Sequence, residues 1–211
     1  MENEVEKRKA LMKQIRDEIV ALKDSPLYSY RVANKFFPVI GEGSHMAHIM
    51  FIGEAPGANE AKTGKPFCGA SGRILDELLI SVGIARNDVY VTNIVKDRPP
   101  ENRDPLPSEI EMYGPFLDRQ IEIIKPKVIA TLGRYSMNYI MKHLGLDFEI
   151  EPIGKAHGKN YEAKTSYGTV DVIPLYHPAT ALYNGSLREV LKEDFKILKK
   201  YGKEDNNTES S

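Results

Sequence analysis

Glu54, Asn93 and His177 each stand at or near the end of a short apolar run, and that shared position marks them as candidates for chemistry. The runs cover residues 49–52, 89–95 and 170–176, and each has the length and composition of a buried strand. Parallel strands place their carboxyl ends on one edge of a sheet, and ligands bind in the crevice outside that edge. A carboxylate, an amide and an imidazole gathered there would make a small polar pocket. Phe67, delivered by the loop that follows Glu54, would give it one stacking wall. The loop opens with Gly53-Glu54-Ala55-Pro56-Gly57, which neither continues a strand nor starts a long helix. It lacks the terminal Gly-Lys-Ser/Thr of a phosphate-binding loop and the GxGxxG spacing of a dinucleotide site. Gly and Pro serve equally well merely to turn the chain; the carboxylate and Phe67 tip the reading towards a site.

The elements that must position these residues follow in order. Residues 2–22 carry Val5, Leu11, Ile15, Ile19 and Leu22 at helical spacing, and Asp24-Ser25-Pro26 ends that helix. An irregular stretch with Phe36, Phe37, Val39 and Ile40 leads to the first strand. From Ala70 the pattern is helical, with Ile74, Leu75, Leu78 and Leu79 on one face. After the second strand, the loop 96–105 holds three prolines and three basic residues, and Ser108 is expected to cap the next helix. Residues 127–132 read as a third strand and 135–144 as a short helix. The segment 148–167 reads as a hairpin or an irregular arm. A fourth strand and a last helix close the fold. Strands alternating with helices predict an α/β protein, a three-layer α/β/α sandwich on a central four-stranded parallel sheet. A single domain is expected over residues 1–201, with residues 202–211 a polar, disordered tail.

Composition narrows the class. A chain of 211 residues is long enough to bury a full core. A formal net charge of −1 neither suggests nor excludes nucleic acid, so only local patches can speak to that. The one cysteine, Cys68, rules out an internal disulfide or a cysteine-ligated metal site. The five histidines show no ligand spacing. With no apolar run of membrane length and a charged rather than signal-like N-terminus, a cytoplasmic protein is expected.

Four stretches resemble the uracil-DNA glycosylase superfamily, and most closely its family 4 enzymes: GEAPGANEAKTGKPFCGASGRILDELL, YVTNIVKDRPPENRDPLPSEI, PFLDRQIEIIKPKVIATLGR and LYHPAT. GEAPG alone is a weak signal; the ordered set is a strong one. The resemblance implies a monofunctional hydrolase that excises uracil from DNA in base excision repair, flipping the nucleotide out of the stack to reach the bond. It implies that Phe67 stacks on the base and that Asn93 pairs with its edge. An amide offers one donor and one acceptor, which matches uracil and opposes cytosine. It implies that His177 donates to the departing base. It implies that Glu54 holds a water and supports the cationic sugar, with Glu60 a second carboxylate whose role the sequence does not rank. Backbone at Gly53 and Ala55 would touch the base. Lys96, Arg98, Arg103 and Arg188 would grip phosphates, and Leu182 or Tyr183 would fill the vacated stack. Uracil-containing DNA, single- or double-stranded, is the expected partner of a monomer, with no membrane contact, no metal and no cofactor.

The chain also departs from that family. Family 4 enzymes hold a [4Fe–4S] cluster on four cysteines, and the corresponding residues here are Leu22, Ser25, Asp97 and Tyr113. None supplies a thiolate, so no cluster is expected, and Asp97 and Tyr113 are expected to replace its clamp by a hydrogen bond. Ala61 and His157 are further departures. Two other activities stay open at this point: the same mechanism on hypoxanthine or xanthine, and a module that binds uracil DNA or single strands without cutting.

Overall fold

The computed structural model describes residues 2–202; the rest of the expected tail lies outside the described residues. The chain begins with helices α1 (Glu2–Val20) and α2 (Tyr28–Ala33), then the short strand β1 (Glu42–Gly43) and β2 (Ile49–Gly53). Helices α3 (Ala58–Thr63) and α4 (Ala70–Ser81) lead to β3 (Tyr90–Asn93), and α5 (Pro107–Ile124) to β4 (Val128–Leu132). Next come α6 (Arg134–His143), α7 (Ile153–Ala156) and the pair β5 (Tyr161–Thr165) and β6 (Gly168–Leu175). The helices α8 (Thr180–Tyr183) and α9 (Gly185–Phe195) finish the fold, followed by a 3-10 turn over Lys196–Tyr201.

The sheet is six-stranded in the order β1-β3-β2-β4-β6-β5. Its central four strands, β3-β2-β4-β6, are parallel, as the sequence predicts. The predicted strand count needs correction at the edges, where β1 and β5 add antiparallel strands. The end of the 148–167 segment forms a hairpin, β5 pairing with β6, whereas its earlier part holds the helix α7. Every residue of β2, β3 and β4 is buried, the signature of strands covered on both faces. On one face, Met50, Ile52, Tyr90 and Ile129 pack beneath α1, α5 and α6. On the other, Phe51, Val91, Ala130 and Leu175 pack beneath α4 and α9. Helix α5 starts at Pro107, and its orphan N-terminal groups are met by Glu109, whose carboxylate accepts the Leu106 N–H at 2.8 Å. The expected Ser108 cap is therefore corrected to Glu109.

Candidate active site

The carboxyl ends of β2, β3 and β6 meet as expected. Gly53 and Asn93 are register partners on neighbouring strands, and His177 follows two residues after β6. A cleft of about 340 Å³ opens between them, lined by Glu54, Phe67, Asn93 and His177 among others, in the lower part of the range of small-ligand sites. Gly53 is what lets the pieces converge. A Cβ there would collide with the Asn93 amide oxygen and stand 2.9 Å from Phe67 Cζ. The Phe67 and His177 rings lie 5.7 Å apart, tilted by 30°.

Phe67 sits at φ +50°, a left-handed conformation that a bulky residue adopts only when its surroundings impose it. Two devices do so. Glu60, buried, accepts the Gly69 N–H at 3.1 Å and ties α3 to the turn before α4. Gly72 lets α4 lie against the Phe67 carbonyl, which any Cβ there would overlap. Glu60 thus spends one oxygen on holding the loop. Glu54 makes no side-chain hydrogen bond among the described residues. Burial, and next the nearby Asp104 carboxylate, push its pKa up to about 7, against the pull of Arg134.

His177 is fixed as a donor. Its Nδ1 accepts the Ala179 N–H at 3.1 Å, so the proton of the neutral ring resides on Nε2. Burial drives its pKa down to about 4, which keeps the ring neutral near pH 7. Its carbonyl accepts both the N–H and the hydroxyl of Thr180, starting α8. Leu182 and Tyr183 follow on that helix, 43% and 90% exposed.

The expected phosphate grips divide. Lys96 is corrected: it is fully buried, and its ammonium donates to Thr92 Oγ1, the Asn93 carbonyl and Gln120 Oε1 at 2.6–2.8 Å. No phosphate can reach it. It braces the Asn93 backbone from below. Arg103 gives two hydrogen bonds to Glu109, at 2.9 and 2.6 Å, and so secures the start of α5. Arg188 pairs with Glu77 of α4. Arg98 donates to Asn102, a cleft residue, at 2.7 Å. A fourth strand end supplies residues the sequence reading passed over. Arg134, just after Gly133 at the end of β4, and Tyr135 both bond Asp104, at 3.2 and 2.6 Å. The rule that singled out Glu54, Asn93 and His177 applies equally to β4 and would have found them.

The residues at the four cluster positions do not fit an iron–sulfur cluster. Tyr113 donates to Asp97 at 2.6 Å and is bonded to Ser25 at 2.6 Å. Arg31 reaches both Asp97 oxygens at 3.0 and 3.2 Å. Ser25, Arg31, Asp97 and Tyr113 are buried, Leu22 is apolar and partly buried, and no thiol stands among them. The polar groups satisfy one another, so the clamp expected of Asp97 and Tyr113 is present, with Ser25 and Arg31 added to it.

The chain is similar to known proteins along most of its length. The family model described as the uracil DNA glycosylase superfamily matches residues 40–199. A type-4 uracil-DNA glycosylase of Sulfurisphaera tokodaii is 46% identical over 189 residues, 89% of this chain and 83% of that protein. Another from Archaeoglobus fulgidus is 48% identical over 160 residues, 76% of this chain and 79% of that protein. A third, from Thermotoga maritima, is 38% identical over 200 residues, 94% of this chain and 98% of that protein. With its site residues arrayed along the carboxyl edge of a parallel sheet, the chain belongs to the uracil DNA glycosylase superfamily.

Proposed function

We propose that this protein is a monofunctional uracil-DNA glycosylase, hydrolysing the bond between uracil and deoxyribose to leave an abasic site. The observation that carries the reading is the convergence of Phe67 and Asn93 at Gly53, with the His177 ring 5.7 Å from Phe67 and Glu54 lining the same cleft. The names of the relatives, type-4 uracil-DNA glycosylases, agree with it.

The base stacks on Phe67 and presents its O4 and N3–H to the Asn93 amide. As the glycosidic bond breaks, its electron pair moves onto the base. The Nε2–H of neutral His177 donates to O2, where that charge gathers. Ionised Glu54 supports the cationic sugar, orients a water towards C1′ and takes the proton that water loses. Glu60 acts through the loop it holds and is a positioning residue. Leu182 or Tyr183 fills the gap in the stack, and Arg98 and Arg188 face phosphates. The proposal takes the enzyme as a cytoplasmic monomer, with uracil-containing DNA as its partner and no metal in the reaction.

The test is strand scission after alkali on oligonucleotides carrying one deoxyuridine, hypoxanthine or xanthine. Cutting at uracil alone is expected. Cutting at a purine instead would overturn the role of Asn93, and binding without any cutting would overturn the enzyme reading. The pH profile is a second check. Glu54 must be ionised, so kcat/KM rises with pH, gains about tenfold per unit below its pKa of about 7, and flattens above it. His177, neutral above about 4, adds no inflection near neutrality. Glu54→Gln is expected to lie well below wild type and to lose the step near 7; a surviving step would assign it to another group.

Gly53→Ala tests the convergence itself. The added methyl meets both the Asn93 amide and the Phe67 ring, and displacing reacting groups by about an ångström costs about a hundredfold in rate. Catalytic efficiency is expected to fall by roughly that factor, while DNA affinity, held by contacts outside the cleft, changes little in a gel shift.

A further inference from the structure

Beyond the cleft, one lip of the site carries an exposed aromatic on a pinned backbone. Phe37 is 57% exposed. Its N–H donates to the Ala61 carbonyl at 2.8 Å, and two residues later the Val39 N–H donates to the Lys96 carbonyl at 2.7 Å. The main chain is therefore tied to α3 on one side and to the segment after β3 on the other. Gly64 lies close to the root of the side chain: a Cβ on it would sit 3.4 Å from Phe37 Cβ. The ring is held out to water by a fixed scaffold.

The surroundings indicate what it contacts. Both supports emerge from the carboxyl edge of the sheet, where the cleft lies. The neighbouring Phe36 lies under the Arg98 guanidinium, 5.5 Å from its ring centre. Arg98 bonds Asn102, which lines the cleft. Asn102, Arg98 and Phe36 thus link the cleft to the backbone that carries Phe37. Lys35 stands two residues before Phe37, and Lys62 and Lys65 stand beside Gly64 in the chain; all three are exposed, and none of their ammonium groups has a partner among the described residues. An aromatic face amid unpaired cations suits a polyanion whose units carry flat rings, and a strand of nucleic acid is such a ligand.

We propose that Phe37, with Lys35, Lys62, Lys65 and Arg98, forms a stacking platform for an unpaired base of the strand that flanks the flipped nucleotide. A base already stacked within a duplex has no free face for it, so the platform favours single-stranded or locally melted DNA. This inference rests on uracil excision only for the meaning of the flipped nucleotide; its test is independent of cleavage.

The experiment is fluorescence anisotropy with a labelled, uracil-free single strand of about fifteen nucleotides, a length within the reach of single-strand binding sites, and with its duplex. Wild type, Phe37→Ala and Phe37→Trp are compared. Loss of one base–aromatic stack is expected to weaken single-strand binding by about tenfold in Phe37→Ala, to leave duplex binding almost unchanged, and to be reversed in Phe37→Trp. Equal single-strand affinity in Phe37→Ala and wild type overturns the platform, and so does an equal loss on strand and duplex. In parallel, a trinucleotide with a central deoxyuridine is offered to wild type and Phe37→Ala. At saturating enzyme, equal cleavage rates agree with a role in binding alone, and a slower maximal rate in the variant counts against it. If wild type cuts no substrate, the excision reading falls while the anisotropy still decides the platform.

Discussion

His177→Ala is expected to lower kcat for uracil release by about 10²–10³-fold with KM nearly unchanged, the loss found when a preorganised donor to a developing anion is removed. The split follows from where charge is. In the ground state uracil O2 is an ordinary carbonyl, and a hydrogen bond from neutral imidazole to it contributes little beyond what water offers. As the bond to C1′ breaks, the base acquires most of a negative charge, and the donor then acts within a closed, low-dielectric cleft. The structure fixes that donor. The Ala179 N–H occupies Nδ1 at 3.1 Å and leaves the proton of the neutral ring on Nε2. The ring is already neutral at working pH, since burial lowers its pKa to about 4, so no protonation event precedes the step. Single-turnover kinetics at saturating DNA give the number. The variant should keep the pH step near 7, because the proposed mechanism assigns that step to Glu54. A rate within about threefold of wild type would remove His177 from the mechanism, since loss of such a donor costs far more.

Much of this site is visible in the one-dimensional pattern because the fold converts chain position into place. Short apolar runs become parallel strands, their ends share an edge, and polar residues at those ends must meet. That reasoning finds Glu54, Asn93 and His177 without any three-dimensional information. It fails for interactions that depend on distant partners. Lys96 sits in a basic loop and looks solvent-facing, yet it turns inward because Thr92 stands four residues before it and Gln120 arrives from α5, 24 residues on. No local signal announces Gln120. Edge strands are lost for a different reason. The two residues of β1 are too few to show alternation, and β5 becomes a strand only by pairing with β6. Asp104 is missed because its influence on Glu54 is a field rather than a contact.

Asp97→Ala is expected to destabilise the fold by about 3–5 kcal/mol, the cost of leaving one partner of a buried ion pair alone, and so to lower Tm by roughly ten degrees in a domain of this size. Arg31 is the reason. It is 5% exposed, and besides Asp97 it donates to the Ile19 and Val20 carbonyls at 3.1 and 2.7 Å, closing the C-terminus of α1. Asp97 in turn holds Tyr113 of α5, and Tyr113 holds Ser25. One carboxylate thus joins the first helix, the turn after it, the loop behind Asn93 and α5, the segments that a cluster on those four positions would have bound together. The pair is not a large net gain in itself: burial raises the Asp97 pKa, even against the Tyr113 bond and Arg31. Its value appears when it is broken. The combination Arg31→Met with Asp97→Ala should therefore lose clearly less than the sum of the single variants, because the buried cation is gone as well. Tyr113→Phe should cost only about 1–3 kcal/mol, the penalty of a missing buried hydrogen bond. Thermal unfolding of the four variants decides it, and an unchanged Tm in Asp97→Ala would show that the helices are held by packing alone. If the ranking holds, hydrogen bonds and one ion pair suffice to fix the loop that follows Asn93.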